Sequence, residues 1–370
     1  MYRFVIVIVI AVIVLVSCGG EIAQEEHPTQ IVEHTLTPEG SRDILTPTQD
    51  QPQDKTPESL ATSEPKASTH IEIDQPYLMA FHACDSFNVN CSDPRNHQVY
   101  LAESEDAKNW RLIPGWVPFQ GSVPDVIRRS DTLYVYTGPW LVRYHFDTGI
   151  IDEPVQVEIS PGEGMDPDES VTLTDVSLIQ DDQDRLVMFF LFGKMGSDPA
   201  MCGPGEVTCV KSIGSATEVD GSDGGSFLIH AGERISAEIG EGKPFMSLSD
   251  PDIFTDGENF YLLVSHGSWT SVWRSLDLHG NYQKIDVPPM GFLTTGSGGV
   301  ASGHYHPEVG RYWIFANIHL EEGMVIRFAE TKDLARQLEE GAWITILAGE
   351  EIGLGPGYNV ESPGFTVNEP

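Results

Sequence analysis

Two stretches of this chain carry the same order of apolar and polar positions. Residues 124–136 (PDVIRRSDTLYVY) and 251–263 (PDIFTDGENFYLL) each open on a Pro-Asp step. Each continues with a short apolar run, breaks at a polar turn and closes on an aromatic-rich run. That order predicts a strand, a tight turn and a second strand. Residues 174–190 repeat it with a longer acidic turn, and residues 298–316 repeat it with a His-Pro turn. Residues 362–367 (SPGFTV) form a half-copy with no second strand, whereas residues 75–83 (QPYLMAFHA) read as a second strand with no first. Joining the two ends gives five units of about 59 residues each, the mark of a repeat architecture.

Each unit has room for two more strands. The turn between them has its own echo: Ser104-Glu105-Asp106 before Trp110, Ser275-Leu276-Asp277 before Tyr282, and Thr331-Lys332-Asp333 before Trp343. The expected fold is therefore all-β, a five-bladed β-propeller with four-stranded antiparallel blades. The C-terminal strand should complete the N-terminal blade, which removes the open edge that invites aggregation.

The ends of the chain differ in composition. Arg3 precedes an apolar run from Phe4 to Val16, too short to span a bilayer comfortably but suited to a signal-peptide core. Leu15-Val16-Ser17-Cys18 follows and resembles the bacterial lipoprotein signal. The resemblance implies a leader over 1–17, lipidation of Cys18 and an extracytoplasmic, membrane-anchored protein. Residues 18–72, rich in Pro, Thr, Gln and Glu, cannot bury enough apolar surface to order themselves and read as a tether. Residues 73–370 are the expected propeller.

Composition narrows the partners. A formal charge of −35 excludes a generic nucleic-acid binder, which needs a positive footprint. Acidic runs such as Asp181-Asp182-Gln183-Asp184 and Asp220-Gly221-Ser222-Asp223 could hold a structural calcium ion, but neither has the full ligand spacing of a known loop. No other metal or cofactor is expected. Cys84 and Cys91 are seven residues apart, as are Cys202 and Cys209, and an even count in an exported chain predicts two local disulfides.

Strand direction puts the starts of the inner strands and the loops between second and third strands on one face. Asp125, Asp175 and Asp252 stand at inner-strand starts of three consecutive units, with Gly299 and Gly364 at the matching positions of the others. Glu361, His82, His266, His319, Trp140 and Trp269 should lie on the same face. Carboxyl groups around an axial hole suit glycosidic cleavage, which needs a proton donor and a base or nucleophile. Crowded acids raise one another's pKa, and Trp and His suit sugar rings and hydroxyls. The alternative role for the repeated Asp is structural: its carboxylate would accept backbone N–H groups at a blade junction.

With these residues in view, the chain resembles the five-bladed propellers of glycoside hydrolase family 43 and its relatives in families 32, 68 and 117. The local match is strongest at Asp250-Pro251-Asp252-Ile253-Phe254, which is similar to the Asp-Pro opening of a family 43 blade. The resemblance implies a base, a pKa-tuning Asp and a general-acid Glu from three neighbouring blades. By position, Asp125 and Asp175 match the two Asp roles and Asp252 falls where the family has Glu. Alternatively Asp252 takes an Asp role and Gly299 occupies the acid position. Glu361-Ser362-Pro363 is similar to the family's Glu-Gly-Pro acid motif, in a different blade relative to the Asp pair. Two functions stay open: a carbohydrate-active hydrolase using Asp125, Asp175 and Asp252, or a non-catalytic propeller that captures a glycan or protein.

Overall fold

The computed structural model describes residues 71–369, except 166–172, 193–207, 241–242, 244, 246, 297–298 and 322. The leader, Cys18 and the tether lie outside this range, and so does the expected 202–209 disulfide, since Cys202 and the side chain of Cys209 are not described.

The strands pair into five sheets, the blades of a five-bladed propeller. Blade 2 is a simple meander, with Pro124–Arg129 innermost, then Thr132–Thr137, Trp140–His145 and Ile150–Ile151. Blade 4 repeats it with Ser249–Thr255, Phe260–Ser265, Thr270–Ser275 and Gln283–Lys284. Blade 5 uses Gly299–His306, Arg311–Leu320, Gly323–Thr331 and Ile344–Leu347. Blade 3 runs from Ser177–Gln180 through Leu186–Phe192 to Thr208–Glu218. It then widens, because Ser226–Ile229 and Ile235–Gly240 both pair with its long third strand.

Blade 1 closes the ring. Its innermost strand is the C-terminal Tyr358–Val367, paired antiparallel with Tyr77–Asp85 from Tyr77↔Val367 to Asp85↔Tyr358. The strand begins four residues before the half-copy legible in the sequence. Asp85↔Tyr358 sits past the last repeat signal, and only pairing with the partner strand extends it.

Five apolar clusters hold the blades together, one at each junction. The cluster between blades 3 and 4 includes Val187, Phe189, Leu191, Leu262 and Val264. That between blades 5 and 1 includes Phe81, Phe315, Phe328 and Phe365. Both faces of a blade are therefore covered, which is why strands such as Leu186–Leu191 read as unbroken apolar runs rather than alternating ones. Each large side chain buried this way contributes roughly 1.5–3 kcal/mol.

Candidate functional site

Five residues enter the inner strands in the left-handed region: Val123 (φ 49°), Asp175 (52°), Asp250 (45°), Val300 (44°) and Ser362 (56°). They occupy one equivalent position in all five blades. A β-branched Val there is an outlier, and the conformation costs about 1–2 kcal/mol per residue. The pairing register also slips at this point in blades 4, 5 and 1. Such bulges re-aim side chains, and they separate each left-handed residue from the one two positions later.

The residues two positions later form the throat of the propeller: Asp125, Ser177, Asp252, Ser302 and Gly364, in order around the axis. This corrects the sequence alignment, in which Asp175 stood level with Asp125 and Asp252 and Gly299 marked the matching position in blade 5. The true equivalents are Ser177 and Ser302. The bulge hides the offset, because an Asp lies on either side of it in blade 4 and only on the outer side in blade 3.

The throat residues staple neighbouring blades. Leu178 N–H donates to Asp125 Oδ2 at 2.7 Å. Ile253 N–H donates to Ser177 Oγ at 3.1 Å, and Gly303 N–H donates to Asp252 Oδ2 at 2.8 Å. The Ser177 and Ser302 hydroxyls also bond Asp125 and Asp252 respectively. In blade 1 the position must be Gly, because a Cβ on Gly364 would stand 2.6 Å from Asp125 Cα and 2.7 Å from Pro124 O. Asp125 and Asp252 are 5% and 8% exposed, and the axial space they border has a volume of about 20 Å³. That is room for about one water and none for a sugar. Burial raises both carboxyl groups, Asp125 to about 7 and Asp252 well above its ordinary range with the Asp125 charge adding to it.

The left-handed residues form a collar next to the throat: Val123, Asp250, Val300 and Ser362 line the same axial space, and Asp175 borders a separate cleft. Asp250 N–H donates to Asp175 Oδ2 at 3.4 Å, and Ser249 Oγ–H donates to Asp250 Oδ2 at 2.6 Å. Burial raises Asp250, offset by Ser249 and by the nearby Lys211 ammonium. Glu361, beside the left-handed Ser362, is pushed up to about 7 by burial and then by the Asp250 charge. The collar thus gathers Asp175 and Asp250 from adjacent blades and Glu361 from blade 1. Asp250 was legible in the sequence as the residue before Pro251, but the more conspicuous Asp252 took its place.

Outward from Asp175 opens a cleft of about 500 Å³ between blades 2 and 3, bordered by Arg95, Gln120, Ser122, Thr137, Trp140 and Thr174. The volume is in the range of small-ligand sites. Trp140 is 44% exposed at its wall, a large apolar surface open to the cleft. Trp269 differs: it is half-buried and packs on Phe292 with ring centroids 4.9 Å apart.

Two of the expected His residues are structural. His82 is buried, stacks on His97 at 4.1 Å and accepts Val123 N–H at 3.1 Å. Burial and His97 push it down to about 3, so it stays neutral. His266 is buried, donates from Nδ1 to Ser247 O at 2.5 Å, accepts from Ser271 Oγ at 2.8 Å and stacks on Phe245. His319 is exposed near the tip of a blade 5 hairpin.

The Cys84–Cys91 disulfide is formed, and His97 Nε2 lies 2.9 Å from Cys91 O behind it. The acidic runs are tied internally. Asp181 accepts the Gln183 and Arg185 N–H groups and pairs with the Arg185 guanidinium, while Asp223 meets Tyr134 and Arg143. Among the described residues, no group of three or more His, Cys, Asp or Glu is placed to hold a metal ion.

No family model matches this chain, and no curated protein matches it. Solved structures of similar shape are a mutant of the GH43 protein BlXynB from Bacillus licheniformis, an endo-1,4-beta-xylanase from Bacteroides thetaiotaomicron and a family 117 glycoside hydrolase from Zobellia galactanivorans. The first is 14% identical at a TM-score of 0.44, covering 81% of this chain and 56% of that one. The second is 13% identical at 0.44, covering 76% and 96%. The third is 15% identical at 0.36, covering 51% and 59%. This chain therefore spans little more than half of the first and third.

Proposed function

We propose that this protein is a carbohydrate-active propeller, held outside the cytoplasm by a lipidated Cys18, that binds a glycan in the Trp140 cleft and cleaves a glycosidic bond with the collar carboxyl groups. The observation that supports this most is the collar itself. Glu361, held near 7, is about half protonated at neutral pH and suits the role of donor to a leaving oxygen. Asp175, which borders both Asp250 and the open cleft, suits the role of base or nucleophile. Asp250 raises Glu361 and so tunes the donor. In this reading Asp125 and Asp252 are blade staples rather than base and acid, because both are buried beside an axial space too small for a sugar and each gives Oδ2 to a backbone N–H of the next blade.

The test is turnover of a panel of oligosaccharides by Glu361→Gln and Asp175→Asn, with release of reducing sugar as readout. Undiminished release in both variants rejects the assignment. The anchor is tested separately: Cys18→Ala should shift the protein from the membrane to the soluble fraction and abolish fatty-acid labelling.

A second reading, non-catalytic capture of a glycan, is favoured by one observation. The open volume lies between blades 2 and 3 and not on the axis. It predicts saturable binding with no product, and any released sugar counts against it.

A further inference from the structure

We infer that the cleft between blades 2 and 3 selects a sugar carrying a carboxylate, a uronic acid, and that Arg95 is the residue that reads it. The inference rests on the cleft being the glycan site.

Arg95 sits in a one-turn 3₁₀ segment, Pro94–Asn96, at the cleft mouth. Its side chain is 82% exposed, yet it does not swing freely. Nε donates to Asp93 Oδ1 at 2.9 Å and Nη2 donates to Asp93 Oδ2 at 2.6 Å, a two-point grip on one edge of the guanidinium. The Arg95 side chain and backbone N–H hold Asp93 down to about 2, so the grip persists at any physiological pH. Arginine has five donors on a planar fork. The Asp93 contacts use one edge, and the edge between Nη1 and Nη2 points to no carboxylate within the chain among the described residues.

The loop behind Arg95 is pinned as well. The Cys84–Cys91 disulfide closes it, Asn96 Nδ2–H donates to Asn90 O at 2.9 Å, and Gln120 Nε2–H donates to Arg95 O at 2.9 Å. A guanidinium fixed at both loop and head is preorganised for a planar two-oxygen partner. In a chain with a net charge of −35, an exposed cation over an aromatic wall and hydroxyl-bearing Ser122, Thr137 and Thr174 is a selective element rather than a general attraction for polyanions. The arrangement offers the Trp140 ring for a sugar face and a fork for the carboxylate, while Thr137 and Ser122 are held by bonds within the protein.

The experiment is calorimetric titration of the purified full-length protein with three oligosaccharides of equal length: an oligogalacturonide, its methyl ester and a sulfated analogue. The free acid should bind at least tenfold tighter than the ester. Arg95→Gln should level the two by weakening the acid alone, and Arg95→Lys should recover only part of the difference, since it restores charge without the fork. Trp140→Ala should weaken acid and ester alike. Equal binding of acid and ester by the unaltered protein overturns the inference, and so does a sulfated analogue that outbinds the uronide. If Trp140→Ala abolishes binding while acid and ester remain equal, the cleft stands and the uronate assignment falls. If neither Trp140→Ala nor Arg95→Gln alters any binding, the cleft falls and takes the inference with it.

Discussion

Acidic side chains stand at two levels of the inner strands, two residues apart, and meet different surroundings. Asp125 and Asp252 at the throat point across blade junctions and spend their oxygens on the next blade's backbone. Asp175 and Asp250 hold the left-handed position of blades 3 and 4: Asp175 accepts the Asp250 N–H at 3.4 Å and borders the open cleft, while Asp250 lines the axial space and raises Glu361. A left-handed residue at the head of each inner strand makes the difference. Repetition of an acid in several blades is thus ambiguous: geometry can keep it for the frame, or a kink can release it for chemistry.

The comparison breaks most easily at Glu361, the proton donor of the proposed reaction. Glu361→Gln keeps the shape and removes the ionisable proton, and it should lower kcat by at least about a hundredfold with no loss of stability by urea titration, the fold gaining at pH 7 and above because Gln has no buried charge to form. A stability loss without a rate effect would move Glu361 into the frame.

The throat should show the reverse. Asp125→Ala leaves the Leu178 N–H buried without an acceptor, and it should cost roughly 1–3 kcal/mol in urea unfolding. Gly364→Ala should be at least as damaging, since its methyl would meet backbone atoms of blade 2 that cannot yield.

pH sharpens the contrast. Asp125 is raised in the folded protein to about 7 from an ordinary value near 3.8, so the native state holds the proton more tightly than the unfolded chain. Stability linked to it is fully present below about pH 4 and is lost as pH rises through about 7, by at most about 4 kcal/mol. Denaturation midpoints from pH 4 to 8 should fall, and Asp125→Asn should make the fall shallower, with Asp252, Asp250 and Glu361, raised as well, supplying the remainder. Activity should depend instead on Glu361, with kcat/KM declining above about pH 7 as the donor ionises.

The smallest effects concern the rim. Trp140→Ala should weaken glycan binding by about 0.5–1.5 kcal/mol. The exposed His319 should tolerate Ala with no change in affinity or in unfolding midpoint, and a tenfold loss of affinity would extend the site to blade 5.

The order of apolar runs, turns and aromatic closings determined the all-β fold, five blades and a ring completed by the C-terminal strand. That information is local and periodic, and a repeat multiplies it. The Cys84–Cys91 pairing was legible for the same reason, being seven residues apart in one loop. Trp140 and Asp175, both singled out in the sequence, line one cleft. The sequence did not reveal which of the acids shared one structural position. A one-residue bulge leaves no compositional trace, and the equivalence of Asp125 with Ser177 exists only where one blade's side chain meets the next blade's N–H. Which Trp stays open was likewise decided in three dimensions: Trp269 found Phe292 to pack on, whereas the loops around Trp140 left its ring to the cleft.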